Sequence, residues 1–220
     1  MEPSPTRFQD RRQFVKSLLL ALPALSLAPR VLTAAPRRMN DLSLAFIASS
    51  LPLVRRAAWA DRRPNTGRLR VAGYFSRITI HHSGARVLRA TERGRVVQAL
   101  NEILAAHQRI RYGDLGYHLA IDCAGRVWEG RSLSYEGAHV SGENPGNIGV
   151  MLLGNFEKQK PSSPQLDTLA TLVGLLRKQF DIPARRVYGH RDIGSSVCPG
   201  RYLYPFVVSL KRNTPPRALV

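Results

Sequence analysis

The sequence predicts the α/β class: a single domain with a mixed central β-sheet flanked by helices. Three observations carry this. Short β-branched or apolar runs alternate with longer stretches of helical period. One apolar run, Asn147 to Gly154, reads as a buried central strand. Two further runs flank Ala124-Gly125 in the manner of a hairpin, so parallel and antiparallel pairs are both expected.

Residues 36–54 read as a lead-in segment, and Arg62-Arg63-Pro64-Asn65-Thr66-Gly67 as a loop. Arg77-Ile78-Thr79-Ile80-His81-His82 is strand-like and stops at Ser83-Gly84. Thr91 to Gln108 reads as a helix, with Val97, Leu100, Leu104 and His107 on one face. Tyr117 to Asp122 and Arg126 to Glu129 are the hairpin arms. Ser163 is the expected N-cap, with Pro164 at N1, of a helix whose stripe is Leu166, Leu169, Ala170, Val173, Leu176 and Phe180. Ile182-Pro183 ends it. Val187 to His190 is a short strand running into a loop, Tyr202 to Lys211 a last helix, and 212–220 a frayed tail.

The 220 residues suit one domain with extensions, and 44% hydrophobic content with 7% aromatics is that of a globular chain. No apolar run is long enough to span a bilayer. Residues 1–35 read as a twin-arginine signal peptide. Arg11-Arg12-Gln13-Phe14-Val15-Lys16 precedes a modest apolar run, and Thr33-Ala34-Ala35 offers a small-residue cleavage site. Export to a bacterial periplasm or beyond is therefore expected, by a route that carries folded proteins. The net charge is +18; residues 1–35 hold five basic and two acidic side chains, so the mature chain stays near +15. Such charge favours anionic partners. Nucleic acid is not expected among them, because the basic residues are dispersed and the chain is exported. A monomer is expected.

Two cysteines exclude Cys₄ and Cys₃His structural zinc sites. A Cys123–Cys198 disulfide is open to an exported chain, but Cys198 has a stronger use. His190 follows a glycine at a strand-to-loop transition, and Cys198 lies in a loop held by Pro199-Gly200. With one of the His81-His82 pair they make two imidazoles and a thiolate for one zinc, leaving a fourth position open, as in catalytic sites. Side chains alternate along a strand, so only one of the pair can reach the metal. His107, on its helix stripe, reads as a hydrogen-bonded structural histidine.

Several ordered motifs then carry a resemblance. They are Arg56-Ala57-Ala58-Trp59, Ile78 to Ser83, Gly116-Tyr117-His118-Leu119, Ile121-Asp122 and Gly125 to Arg131. Gly137-Ala138-His139-Val140, Asn147 to Val150, Leu153 to Phe156, Gly189-His190-Arg191-Asp192 and Cys198-Pro199-Gly200 follow. In this order, from about Leu53 to Tyr204, the chain resembles the zinc-dependent N-acetylmuramoyl-L-alanine amidases of the type shared with peptidoglycan recognition proteins. The resemblance implies a zinc domain over 55–211, with the metal at one end of the sheet.

It implies His81, His190 and Cys198 as the ligands of one Zn²⁺, with His82 facing away. It implies Tyr117 as a catalytic residue, and Ser196 at a position held by Lys, Thr or Ser in the family. His139 matches a groove residue that touches substrate. Arg126 and Arg131 are expected to grip stem-peptide carboxylates, and Cys123 is read as a buried structural thiol. The partner implied is peptidoglycan or muropeptide, cleaved between the lactyl group of N-acetylmuramic acid and L-alanine. Members of the family that only bind typically lack the cysteine ligand, which this chain keeps. The rival expectation is a muropeptide-binding protein of the same fold.

Overall fold

The computed structural model describes residues 36–212; the signal-peptide reading of 1–35 and the tail from 213 lie outside the described residues. The elements run α1 (Pro36–Ala48), β1 (Leu53–Val54), β2 (Arg77–His82), α2 (Arg93–Arg109), β3 (Leu119–Ile121), β4 (Val127–Glu129), β5 (Asn147–Leu152), α3 (Ser163–Phe180), β6 (Val187–Gly189) and α4 (Tyr204–Arg212). The strands form one mixed sheet in the order β1-β4-β3-β5-β2-β6. Among the strand pairs of the described residues, the β3–β4 hairpin alone is antiparallel. The α/β reading with a mixed central sheet holds.

The two faces of the sheet are built differently. Ile78 and Ile80 of β2, Ile148, Val150 and Leu152 of β5, and Leu119 and Ile121 of β3 point to one face. There they pack on Leu169, Leu172, Val173 and Leu176 of α3 and on Phe206 and Val207 of α4. Complete burial of such a side chain is worth roughly 1.5–3 kcal/mol over exposure, and this face holds the larger of the two buried apolar clusters. On the other face Ala120, Trp128 and Met151 meet Val96, Leu100 and Leu104 of α2. Thr79 and His81 share that second face by strand alternation.

The segment read as a lead-in is part of this core. α1 buries Leu44 and Ile47 against the first face, and Gln179 of α3 donates to Ser43 Oγ at 2.7 Å. β1 then pairs in parallel with β4, Leu53 opposite Val127. Two local readings shift by one residue. The N-cap of α3 is Ser162, not Ser163: its Oγ accepts from Gln165 N, and the Gln165 side chain returns to Ser162 N. This reciprocal pair satisfies two end donors, whereas a cap at Ser163 would lack a partner three residues on. In α2 it is Val96 that is fully buried, while Val97 is only half-buried.

The hairpin closes on a buried carboxylate. Asp122, fully buried, accepts from the amides of Ala124 and Arg126, from Arg126 Nε at 2.7 Å and from Trp128 Nε1 at 2.8 Å. Gly125 turns the chain with φ 81°. Cys123 is buried and free, as is Cys198, so no disulfide joins them.

Candidate metal centre and groove

β2 and β6 are parallel neighbours, Ile80 lying opposite Gly189. Their carboxyl ends therefore emerge side by side, with His81 one residue beyond Ile80 and His190 one beyond Gly189. The loop after β6 returns over them. Arg191 N donates to Cys198 O at 2.8 Å, and Ser196 Oγ accepts from Cys198 N at 3.1 Å. Cys198 Sγ then stands 3.6 Å from His81 Nδ1 and accepts from His82 N at 3.3 Å. The ligand atoms of His81, His190 and Cys198 all lie within 4.8 Å of one another.

These residues fit a zinc ion. Donors about 2.0–2.3 Å from a tetrahedral zinc lie roughly 3.3–3.8 Å apart, which brackets the His81–Cys198 separation. The imidazoles are held neutral, as ligands must be. Burial, then the neighbouring histidines, lowers the pKa of His81 well below its ordinary value, and burial lowers that of His190. The Cys198 thiol is pushed up to about 12 by burial, with the His82 amide and Arg191 opposing. A buried thiol of that kind is costly to ionise unless a cation sits beside it.

His82 points to the opposite face, where its Nδ1 accepts from Phe156 N at 3.1 Å. His107 is also structural. Its Nδ1 accepts from Gly116 N at 2.9 Å, and burial, reinforced by Arg131, lowers its pKa to about 4. Asp192, adjacent to His190 in sequence, instead accepts from Gly189 N and from the Tyr204 hydroxyl.

Around the cluster, the Tyr117 ring lies 5.0 Å from that of His81, and burial raises its phenol pKa. His139 reaches His81 through a 3.0 Å contact between its Nδ1 and His81 Nε2; its own Nε2 lies 3.2 Å from Asn147 O. Burial lowers its pKa to about 3. His139 and His190 line a groove of about 600 Å³ with Tyr112, Asn144 and Gly194.

Two expected substrate grips are corrected. Arg126 lies at the hairpin turn, its guanidinium spent on buried Asp122 and on the carbonyl of Thr91. Arg131 is 3% exposed, and its guanidinium donates to the carbonyls of Leu115, Glu136, Tyr112 and Asp114. It braces the groove wall and has no free fork for a ligand. The groove instead continues past Tyr112, Ala138, Gly142 and Asn144 into a basic pocket of about 350 Å³, to which Arg68, Arg70 and Arg111 contribute. All three are exposed and make no ion pair among the described residues. Sequence reading missed them because the Arg68/Arg70 pair and the distant Arg111 do not stand out in a chain with many arginines. Their signal was Arg68-Leu69-Arg70 directly after the 62–67 loop.

Residues 72–201 match the profile of the N-acetylmuramoyl-L-alanine amidases, more than half of the chain. The chain belongs to that family. Among its relatives is peptidoglycan-recognition protein SD of Drosophila simulans, 30% identical over 168 residues that span 76% of this chain and 89% of the relative. The crystal structure of Drosophila peptidoglycan recognition protein SD superposes with a TM-score of 0.67 at 27% identity, over 77% of this chain and 100% of that one. A second solved structure is the complex of the recognition-protein ectodomains LCa and LCx with tracheal cytotoxin. It matches with a TM-score of 0.64 at 28% identity, over 71% and 95% of the two chains.

Proposed function

We propose that this protein is an exported zinc amidase that hydrolyses the bond between the lactyl group of N-acetylmuramic acid and L-alanine of the stem peptide. The observation that carries the reading is the convergence of His81, His190 and Cys198 beside Tyr117 at the head of an open groove. A muropeptide-binding role alone would leave a complete three-ligand set without use. Binding of a muropeptide is a property of structurally similar family members, one of which was crystallised with tracheal cytotoxin.

His81, His190 and Cys198 would hold the zinc ion, which would supply Lewis acidity and a water made more acidic than in bulk. The protein's part is positioning and proton control. Tyr117 stays protonated because burial raises its pKa, so its hydroxyl is a donor for the oxygen that gains charge as the amide is attacked. Ser196 Oγ accepts from the Cys198 amide, which leaves its O–H proton free to point at substrate while the oxygen braces the ligand loop. Arg68, Arg70 and Arg111 place three cations where a stem peptide continuing along the groove brings its carboxylates.

Incubation with defined muropeptides, with and without chelator, tests the reading, the cut bond being identified by mass spectrometry. Release of peptides with a free L-alanine amino terminus, abolished by chelator and restored by zinc, is the expected result. Intact muropeptide after incubation with zinc-loaded protein would sink it. Export is tested separately: changing Arg11 and Arg12 to Lys should retain the precursor inside the cell.

A further inference from the structure

His139 lies outside the ligand set, yet its ring is held by two hydrogen-bond partners and two close backbone neighbours. Its amide and that of Val140 both donate to Asn144 Oδ1, at 2.8 and 3.0 Å. Two glycines flank the imidazole. A Cβ on Gly149 would come 2.5 Å from His139 Cδ2, and one on Gly137 2.3 Å from the same atom. No other residue at either position leaves room for the ring where it stands.

The hydrogen bonds of that ring have one consistent assignment. Asn147 O is a carbonyl and only accepts, so His139 Nε2, 3.2 Å away, carries the proton. In a neutral imidazole the other nitrogen is then bare. His139 Nδ1 is therefore an acceptor, and His81 Nε2, 3.0 Å from it, must be the N–H that donates. Neutral His81 keeps its lone pair on Nδ1, the nitrogen that faces Cys198 Sγ.

From this chain of contacts we infer that His139 is a positioning residue for the metal centre: the relay from Asn147 O through His139 fixes the tautomer and ring plane of His81, so that Nδ1 is presented to the ion. The acceptor behind a ligating histidine is usually a carboxylate or a backbone carbonyl; here a neutral imidazole takes that place, and its own orientation is set by a carbonyl. The inference rests on the metal-binding reading of His81, but its first consequence is measurable in metal-free protein.

Long-range ¹H–¹⁵N correlation spectra of the metal-free full-length protein read the tautomer of His81 directly. The expected state has the proton on Nε2 in the wild type and in His139→Asn, whose Oδ1 can stand where Nδ1 stood, and a mixture of tautomers in His139→Phe. A proton on His81 Nδ1 in the wild type would overturn the inference and needs no variant. Zinc affinity, measured by chelator competition, should fall about 10–100-fold in His139→Phe and stay within a few-fold of wild type in His139→Asn. Equal zinc affinity in wild type and His139→Phe would also overturn it. Failure of the wild type to bind zinc at all would instead strike the proposed function, with the tautomer result still standing on its own.

Discussion

His81 and His82 are neighbours on one strand, yet they belong to two regions with opposite design. On the α3 side of the sheet, His82 closes a polar gap beside Phe156 within a continuous apolar core. On the other side, α2 packs in a smaller cluster with Trp128, Met151 and Ala120 of the sheet, and His81 is surrounded by Tyr117, His139, His190 and Cys198. One face is filled with apolar side chains, and the other carries the candidate metal centre. The apolar core and the candidate site are thus separated by the thickness of one strand.

Substitutions should respect that separation. The largest effect is expected on the reactive face: Tyr117→Phe should lower turnover of a muropeptide about 10²–10³-fold while bound zinc, counted by elemental analysis, stays at one per chain. Turnover within a few-fold of wild type would remove Tyr117 from the chemistry. On the filled face, Ile80→Ala should cost about 2–5 kcal/mol in urea unfolding and leave zinc affinity unchanged, because Ile80 is fully buried against α3 and its neighbours. Lost zinc affinity in a folded Ile80→Ala protein would show that the two faces are not independent.

Acid should expose the cost of the histidine-rich side. His107, half-buried, and His118, buried, each have their pKa lowered from 6.5 to about 4, chiefly by removal from water. The unfolded chain takes up protons at these residues below pH 6.5 and the folded chain does not. Stability is therefore full above that value and falls as pH drops toward 4, by up to about 1.4 kcal/mol per pH unit for each group. Urea midpoints measured from pH 7.5 to 4.5 check the slope, and His107→Asn, which keeps an acceptor for Gly116 N, should make it shallower. The smallest expected effect sharpens the map of the groove. Arg111→Ala should raise KM several-fold with kcat little changed, as loss of a ground-state contact does. Arg126→Ala should leave both constants alone, because Arg126 is bound to Asp122 at the hairpin.

Much of this was legible in the chain. The strand of β2 and the apolar run of β5 show their period or composition plainly, and Gly189-His190 and Cys198-Pro199-Gly200 stand out as chemistry at a strand end. What escaped has physical causes. In the 36–54 segment Leu42, Phe46 and Leu51 mix with Leu44 and Ile47, so the buried stripe of α1 is blurred by apolar residues that face outward or sit at its rim. The capping serine of α3 sits beside a second serine, and only the reach of Gln165 separates them. Arg126 and Arg131 look like free cations in sequence because their partners, a buried carboxylate and four carbonyls, are assembled by the fold. The His81–His139 contact spans 58 residues and has no local signal.

His81 and Cys198 are 117 residues apart, joined only by the parallel pairing of β2 with β6 and the loop that follows. During synthesis, a chain halted before Cys198 would have at most the two imidazoles at the ends of β2 and β6, one donor short of the trio. Any ion held by this trio would therefore be captured late, after both strands and the closing loop are in place.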